Sequence, residues 1–331
     1  MIKKYFGLLA VLSLFAQASV CAGLDLDKVR KASAGHSLIV QSGQSKKQVL
    51  DFINSAAKTL DLVIYEMDDP DIISAMLKAR GRGVVVRVIF DVRSKHFIPN
   101  PNPQTMKVFS VGGIAVKEAA PALFPITHQK TFIADKARAL VMTFNLSPAY
   151  FGGTRDFGLI TWNPDEVSEI TKTFDADWAG RAAKHDSAAL VWSPDNARSK
   201  ITDLINSAGK TIEIYNLEVK DKGILSALAA AVKERKVTVR FIMAQLMTDG
   251  QNVNGAGAKI LADAGILIKP MVNPFVHGKM VMADGGVVFI GSQNFSASSL
   301  DRNRELGVIT ANPLIVQQVR GVFDADWRTL K

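Results

Sequence analysis

The five residues Phe174-Asp-Ala-Asp-Trp178 recur letter for letter as Phe323-Asp-Ala-Asp-Trp327, 149 positions later. A second pair of segments, Phe52–Leu60 and Leu204–Ile212, shares most of its residues at an offset of 152. Nearly constant offsets held through polar positions indicate an internal duplication rather than chance. The sequence therefore predicts an N-terminal segment of residues 1–22 followed by two similar halves, residues 23–185 and residues 186–331.

Each half alternates apolar runs with helical patterns. In the first half, strands are expected over residues 60–65 and 84–90 and a helix over residues 71–80. A connection rich in Pro or Gly follows in each half, over residues 99–103 and 250–257. Strands that alternate with helices predict a layered α/β fold in each half. A nucleotide cofactor finds no support, because no Gly-x-Gly-x-x-Gly turn and no Walker-type loop is present.

The chain is basic and carries one cysteine. Its 331 residues include 40 Lys and Arg against 31 Asp and Glu, a formal net charge of +9. One cysteine excludes a disulfide framework and a cysteine-based zinc site. The charge suits polyanions or an anionic membrane surface, and it equally suits a surface that is only solubilising. Phospholipid and nucleic acid both remain candidate partners.

The first 22 residues have the features of a secretory signal peptide. Lys3 and Lys4 precede an apolar run over residues 5–15, and Val20-Cys21-Ala22 provides small residues before Gly23. The run is shorter than the roughly 20 residues that a transmembrane helix needs. We therefore expect an exported protein, periplasmic or secreted. A membrane anchor, a buried helix and a lipoprotein that uses Cys21 are the alternatives.

One polar constellation occurs twice at the offset of 149. In the second half, His277-x-Lys279 is followed by Asp284, by Gly291-Ser292-Gln293-Asn294 and by Glu305. The first-half counterparts are His128, Lys130, Asp135, Met142-Thr143, Asn145 and Asp156. An imidazole can attack phosphorus and a second imidazolium can protonate the leaving oxygen. Lysines and asparagines can neutralise the phosphoryl oxygens, so the constellation predicts cleavage of a phosphodiester.

The two His-x-Lys-x4-Asp motifs resemble the paired signatures of the phospholipase D superfamily. Gly291-Ser-Gln-Asn294 resembles that family's extension, and Glu305 resembles its following acid. The resemblance implies two similar α/β/α sandwich halves related by a pseudo-twofold axis, with one active site between them. It also implies a phosphohistidine intermediate and no metal or other cofactor. Both half-sites lie in one chain, so a monomer is expected to be sufficient.

The resemblance also implies a role for each residue. His128, His277, Lys130, Lys279, Asp156 and Glu305 are the expected catalytic residues, Asn145, Asn294, Thr143 and Ser292 the expected phosphate-binding residues, and Asp135 and Asp284 the expected structural supports at the base of the site. Glu305 is expected to orient His277, and Asp156 to serve His128. On that basis we expect His128 to be the nucleophile and His277 the general acid.

Two further features carry expectations about the cleft. The bulk of Met142, where the second half has Gly291, is expected to narrow the pocket. Tyr65 and Tyr215 end matching strands and are expected to pack at the edge of the core, with the cleft as the alternative. The repeated Phe-Asp-Ala-Asp-Trp segments are expected to be structural.

The expected activity is hydrolysis of a phospholipid headgroup or its transfer to another alcohol. The first alternative is a nuclease of the same superfamily, which would use the positive charge to hold a nucleic-acid backbone. The second is a catalytically weak protein that binds phosphate or a lipid surface. A metal site built from the two histidines and the acids is disfavoured, because a lysine lies two residues from each histidine.

Overall fold

The computed structural model describes residues 24–41, 44–93, 99–245 and 250–331. The proposed signal peptide therefore lies outside the described residues. The first half contains α1 (Leu26–Ala32), β1 (His36–Val40), α2 (Ser45–Asn54), β2 (Thr59–Ile64), α3 (Pro70–Gly81), β3 (Val85–Phe90), α4 (Asn102–Val111), β4 (Ala115–Glu118), β5 (Thr131–Ala134), β6 (Arg138–Met142), β7 (Thr154–Arg155), β8 (Phe157–Thr161) and α5 (Pro164–Trp178).

The second half follows a similar order of elements. It contains β9 (Leu190–Ser193), α6 (Ala197–Ser207), β10 (Thr211–Asn216), α7 (Lys222–Lys233), β11 (Thr238–Met243), α8 (Gly255–Asp263), β12 (Leu267–Pro270), β13 (Phe275–Val276), β14 (Lys279–Ala283), β15 (Val287–Gly291), α9 (Ala297–Asp301), β16 (Glu305–Thr310) and α10 (Pro313–Thr329). Within the described residues it differs from the first half in three places: it has no counterpart of α1, has β13 before β14, and has α9 where the first half has β7. The segments predicted to be connections include the starts of two of these helices, α4 and α8.

Each half is built on a mixed seven-stranded sheet. The strand order is β1-β8-β6-β5-β2-β3-β4 in the first sheet and β12-β11-β10-β14-β15-β16-β9 in the second. The strands β2, β3 and β4 run parallel, as do β10, β11 and β12, while the other neighbours are antiparallel. The predicted α/β class, with two similar halves, is confirmed.

Alternation along the strands sends side chains to two different cores. On β6, Ala139 and Val141 face a central core, whereas Leu140 and Met142 face the outer helices of the first half. The central core joins the inner faces of both sheets to α5 and α10. Outer cores lie under α2 and α3 in the first half and under α6 and α7 in the second. Each sheet is thus covered by helices on both faces.

The repeated aromatic-acidic segment holds an arginine of its own half. In the first half the Phe174 and Trp178 rings stack, and the Arg87 guanidinium lies 4.7 Å from the Phe174 ring centre. Arg87 also pairs with Asp61 at 2.7 Å and with Asp175 at 2.8 Å. Burial of most of this cation is offset by the two carboxylates and the ring faces.

The second half repeats this arrangement around Arg240, which pairs with Glu213 at 3.0 Å and with Asp324 at 2.9 Å. The Arg240 guanidinium lies 5.1 Å from the Phe323 ring centre. The structural role predicted for the segment is therefore supported, and its first acid is paired in both copies. Among the residues described, no helix has the length and apolarity needed to cross a bilayer.

Candidate active site

The two His-x-Lys motifs lie where strands begin at the junction of the halves. His128 precedes β5 and His277 lies between β13 and β14, so neither histidine lies inside a strand. The side chain of His128 is 14% exposed and that of His277 is 5% exposed. Each histidine is therefore nearly enclosed and reaches solvent through a small part of its ring.

Each histidine is bonded to an acid from the other half. The His128 Nδ1 atom lies 2.9 Å from Glu305 Oε2, and the His277 Nδ1 atom lies 3.0 Å from Asp156 Oδ1. The expectation that Glu305 orients His277 and Asp156 serves His128 is wrong. A carboxylate at Nδ1 fixes the ring so that Nε2 is the atom left for chemistry.

The pairing of each histidine with the acid of the other half follows from short backbone pairings between the halves. β13, just before His277, pairs in parallel with β7, which ends at Arg155. In the other direction, the amides of His128 and Gln129 donate to the carbonyl of Arg304 at 2.9 and 3.0 Å. Since Asp156 and Glu305 directly follow those two arginines, each pairing delivers a carboxylate to the histidine of the opposite half.

The same two arginines are fixed by the second acid of each repeated segment. Arg155 Nε lies 2.7 Å from Asp326, and Arg304 binds Asp177 at 2.9 Å. We call these two ion pairs the latches. In each latch, an acid on the last helix of one half binds an arginine of the other half. That arginine directly precedes Asp156 or Glu305. Each half therefore fixes the segment of the other half whose carboxylate contacts its own histidine.

Both lysines are buried beside their histidines. Lys130 Nζ donates to the carbonyl oxygen of His128 at 2.5 Å, and Lys279 Nζ donates to the carbonyl of His277. Burial lowers the pKa of Lys130 to about 7 and that of Lys279 to about 8. An arriving phosphate anion would favour the charged form of both groups, which places two cations at the reaction centre.

Burial disfavours the charged form of both imidazoles, so it lowers the pKa of each. Burial, followed by the Lys279 ammonium, lowers the pKa of His277 to about 4. Burial also lowers the pKa of His128, but there the Glu305 carboxylate opposes burial more strongly than Lys130 adds to it. His128 draws the pKa of Glu305 below its usual value despite burial, as His277 does for Asp156.

Two residues expected to bind phosphate instead support the acids. Thr143 Oγ1 donates to Asp156 Oδ1 at 2.5 Å and accepts the amide of Phe157. Ser292 Oγ accepts the amide of Leu306 at 3.2 Å and helps to keep the pKa of Glu305 low. Both hydroxyls are fully buried beneath the carboxylates, so they are positioned to order the acids rather than to meet substrate.

The asparagines retain the geometry expected of phosphate binders. Asn145 and Asn294 each have a buried side-chain oxygen with no hydrogen-bond partner. The Asn145 amide nitrogen lies 3.0 Å from the Tyr150 hydroxyl. A buried amide with unused hydrogen-bonding capacity is a candidate for a ligand contact. Their phosphate-binding role stays a proposal.

Asp135 and Asp284 lie at the far end of β5 and β14 from the histidines. Asp135 accepts the amides of Ala57, Lys58 and Thr59, and Asp284 accepts those of residues 209–211. Both acids have positive φ, 55° and 50°, and each closes the turn before a parallel strand. They are structural supports, but they do not form the base of the site.

Met142 does not narrow the pocket as expected. It is fully buried in the outer core of the first half, on the opposite face of β6 from Val141. At the matching position a Cβ on Gly291 would lie 2.4 Å from Gln293 Oε1, so a side chain there would displace Gln293. The difference between the halves at this position concerns core packing.

Other residues join the site that the motif analysis did not select. The Tyr65 ring meets His128 edge-on at 4.7 Å between centres, and the Tyr150 ring meets His277 at 4.9 Å. Tyr215 instead is buried in the central core, with its hydroxyl 2.7 Å from Asp326. Tyr65 therefore contacts the site, whereas Tyr215 follows the core expectation.

A second pair of acids also reaches the site. Glu66 is fully buried beside Asn145, with its Oε2 3.3 Å from that amide nitrogen, and Glu218 lies at the matching position of the second half. Both carboxylates are close enough to influence the lysines, Glu66 acting on Lys130 and Glu218 on Lys279. Their recurrence at the offset of 152 is the signal that could have identified them.

The donor set is that of an anion site. Within the part of the chain that the structure covers, no group of three or more His, Cys, Asp and Glu is arranged to hold a metal ion. The carboxylates at each histidine are already engaged by imidazole, and two buried lysines share the same centre. Such a centre attracts a phosphate rather than a dication.

Comparison with known proteins agrees with this geometry. A family model described as "Cardiolipin synthase, PLD-like domain" matches residues 49–178 and 201–327, one match in each half. A cardiolipin synthase from Oceanobacillus iheyensis is 25% identical over 331 residues, covering 87% of this chain and 68% of its own length. Cardiolipin synthase 2 of Bacillus anthracis is 25% identical over 316 residues, covering 81% and 60%.

Two solved structures share the fold. Phosphatidylserine synthase of Haemophilus influenzae superposes with a TM-score of 0.70 at 13% identity, covering 90% of this chain and 87% of its own. Polyphosphate kinase of Porphyromonas gingivalis gives a TM-score of 0.67 at 18% identity, covering 89% of this chain and 51% of its own. Since the family model matches both halves and most of the chain, the protein belongs to the phospholipase D-like family that this model describes.

Proposed function

We propose that the protein transfers a phosphatidyl group between alcohols through a phosphohistidine intermediate. The observation that carries the proposal is the pair of histidines, each oriented by the other half's acid and each beside a buried lysine. One imidazole attacks phosphorus while the other protonates the leaving alcohol, and the lysines and asparagines hold the phosphoryl oxygens. The relatives' name, cardiolipin synthase, supports a lipid alcohol as the acceptor.

Hydrolysis is the same reaction with water as the acceptor. Transfer is preferred in this proposal because the matched relatives are named synthases rather than hydrolases. No step needs a metal ion, since the lysines supply the positive charge at the transferring group. Both half-sites come from one chain, so specific activity should not fall when the protein is diluted.

The test is a product assay on phosphatidylglycerol vesicles in EDTA, with ethanol added in a parallel sample. We expect cardiolipin with release of glycerol, and phosphatidylethanol when ethanol competes. Phosphatidic acid alone would make the protein a hydrolase, and cleavage of DNA without reaction on lipid would favour the nuclease. Activity lost in EDTA and restored by zinc or magnesium would contradict the metal-free proposal. Export, also proposed, is tested by sequencing the N-terminus of the protein from cell fractions.

A further inference from the structure

The two histidines differ in their access to an open cleft. A cleft of about 450 Å³ opens beside His128, and its wall includes the ring of that histidine but not the ring of His277. Its lining residues are Tyr65, Ile126, His128, Glu218, Lys220, Asn294, residues 296–299, Asn303 and Glu305. This volume falls within the range of small-molecule sites. Most of the wall comes from the second half.

This difference in access has a local cause. Ser299 lies at the edge of the cleft, and its counterpart at the offset of 149 is Tyr150. The Tyr150 ring stands against His277 and is only 4% exposed, whereas the smaller Ser299 is buried and donates its hydroxyl to Glu305, which binds His128. A tyrosine ring stands against each histidine, Tyr65 against His128 and Tyr150 against His277, but of the two histidines His128 is the one that lines the cleft.

The cleft is polar and carries both charges. Lys220 pairs with Glu218 at 2.5 Å on its wall, and both side chains are partly exposed. Asn294 contributes a buried oxygen with no partner, and Asn303 is 7% exposed. Hydroxyl groups can both donate to and accept from such a surface, whereas acyl chains gain little there. The chemistry fits an alcohol group that carries several hydroxyls, such as the glycerol headgroup of phosphatidylglycerol.

We propose that this cleft binds the alcohol that is exchanged at phosphorus, so that His128 transfers the proton and His277 forms the covalent bond. The inference rests on the proposed phosphatidyl transfer and assigns the two sides of that reaction. In an in-line displacement the leaving alcohol lies opposite the nucleophile and next to the general acid. The acceptor enters by the same position in the second step. Space for an alcohol is needed beside the acid, and in the part of the chain that the structure describes such a cleft lies beside His128.

The steps balance with no further reagent. The Nε2 atom of neutral His277 attacks phosphorus, the bond from phosphorus to the leaving oxygen breaks, and protonated His128 gives its Nε2 proton to that oxygen. The acceptor alcohol then enters the cleft, and neutral His128 removes its proton. The alkoxide attacks phosphorus, the bond from phosphorus to His277 breaks, and both rings return to their starting states.

The strongest charge acting on the pKa differs between the two rings, although burial lowers the pKa of both. Lys279 adds to burial in keeping His277 neutral, which suits a nucleophile, and the pKa of His277 is lowered to about 4. The strongest influence opposing burial at His128 is Glu305, which favours the imidazolium that an acid needs. The sequence-based assignment relied on Glu305 acting on His277, so its physical basis is reversed by the observed pairing.

A nitrophenyl phosphodiester separates the two roles, because nitrophenolate leaves without needing a proton. We expect His128→Ala to release about one equivalent of nitrophenolate in a burst and to retain phosphate on the peptide containing His277. His277→Ala should give no burst. Phosphohistidine is acid-labile, so peptides are mapped at alkaline pH. Wild-type enzyme, quenched rapidly, should carry the same label.

A burst in His277→Ala with phosphate on His128, or wild-type label on His128, would overturn the assignment. If neither variant releases nitrophenolate in a burst, the histidine that carries the label in the wild-type enzyme decides the assignment. Failure of the proposed function looks different, because wild type itself would neither label nor turn over phospholipid.

The cleft is tested with glycerol as the acceptor. Lys220→Ala and Asn303→Ala should each raise the KM for glycerol about tenfold, the effect of losing one hydrogen bond to a ligand, while the amplitude of the nitrophenolate burst counts the active enzyme in each sample. Ser299→Tyr, which copies the first half, should reduce transfer to glycerol further. Lys233→Ala, on an exposed position of α7, is the matched control and should change neither quantity. An unchanged KM for glycerol in all three cleft variants would contradict the alcohol site.

Discussion

The two halves share their sheets, their arginine clusters and their latches, but they differ around the histidines. Tyr150 covers His277 in the first half, where the second half has Ser299 beside the cleft. Tyr65 stands against His128, and its counterpart at the offset of 152 is Leu217. The first half thus supplies both tyrosines, and the second half supplies most of the open wall.

This difference indicates which parts of a duplicated site can diverge. The pairs of histidine, lysine and acid act on one phosphorus, so both copies keep them. The residues around the two histidines bind different parts of one substrate. A pseudo-twofold site provides the same space beside each histidine, but the reaction needs space for an alcohol beside one of them. Tyr150 in one copy and the cleft in the other make two similar half-sites into two sides of one reaction.

The largest effect should come from removing either histidine. His128→Ala and His277→Ala should each reduce turnover of phosphatidylglycerol by about 10⁴-fold or more, and the double variant should be no worse than either single one. Two independent sites would instead leave each single variant with about half of the activity. Steady-state rates on vesicles measure the difference.

The next effect tests the crossed acids. Glu305→Gln and Asp156→Asn should each lower the rate by about 10²- to 10⁴-fold, because the histidine loses the carboxylate that orients it. Nitrogen-15 NMR of the histidine rings separates the two pairs. The pKa of His128 should fall further in Glu305→Gln, since Glu305 raises it, and the His277 ring should respond to Asp156→Asn. A response of His277 to Glu305→Gln would contradict the pairing.

A smaller effect concerns stability and its pH dependence. Lys130 has a folded pKa of about 7 against an ordinary value of 10.5, so between these pH values the unfolded chain binds a proton that the folded protein lacks. Stability therefore rises with pH across that window, and the penalty for burying the cation is complete below pH 7.

Lys130→Met should accordingly raise the free energy of unfolding by about 1–4 kcal/mol at pH 7, while activity is lost. The gain should shrink towards pH 10. Lys58→Met, at an exposed position, is the control and should show neither effect. Urea titrations at the two pH values give the measurement. A loss of stability at pH 7 would mean that the neighbouring acids need the cation more than burial opposes it.

The smallest effect compares the two arginine clusters. Arg87→Lys and Arg240→Lys each lose the planar contact with two aromatic rings and the forked contact with two acids, which should cost about 1–2 kcal/mol. Thermal unfolding should show similar losses for both, because each arginine pairs with two acids and lies over two aromatic rings. Arg30→Lys in α1, an exposed position, serves as control. A loss confined to one half would make that half the weaker folding unit.

Much of the fold followed from the repeated letters and the apolar periods. The strands expected over residues 60–65 and 84–90 agree with β2 and β3 to within a residue, and the helix over residues 71–80 agrees with α3. The helices α4 and α8 were not expected, because proline and glycine punctuate their first residues. Proline tolerates the first turn of a helix, so a punctuated segment can still begin one.

The site was predictable in its members but not in its pairings. Asp156 and Glu305 each follow their histidine by 28 residues, and equal spacing cannot tell a bond within a half from a bond across halves. The pairing across the halves depends on β7 and β13, two-residue strands with too few positions to show a period. Tyr150 lies in a short turn of 3₁₀ helix, where side-chain direction depends on packing that no local pattern encodes.

Through the latches, each half holds in place the segment of the other half that supplies the acid to its own histidine. Asp326 holds Arg155 of the first half, which carries Asp156 back to His277 of the second. A change in either half thus alters the chemistry of both, and compensating changes are expected between positions 171 and 127 residues apart, those of the two latches, rather than between neighbours. The two copies can no longer evolve as separate modules, and a chimaera joining halves from two distant relatives would have to restore both latches before either histidine had its acid.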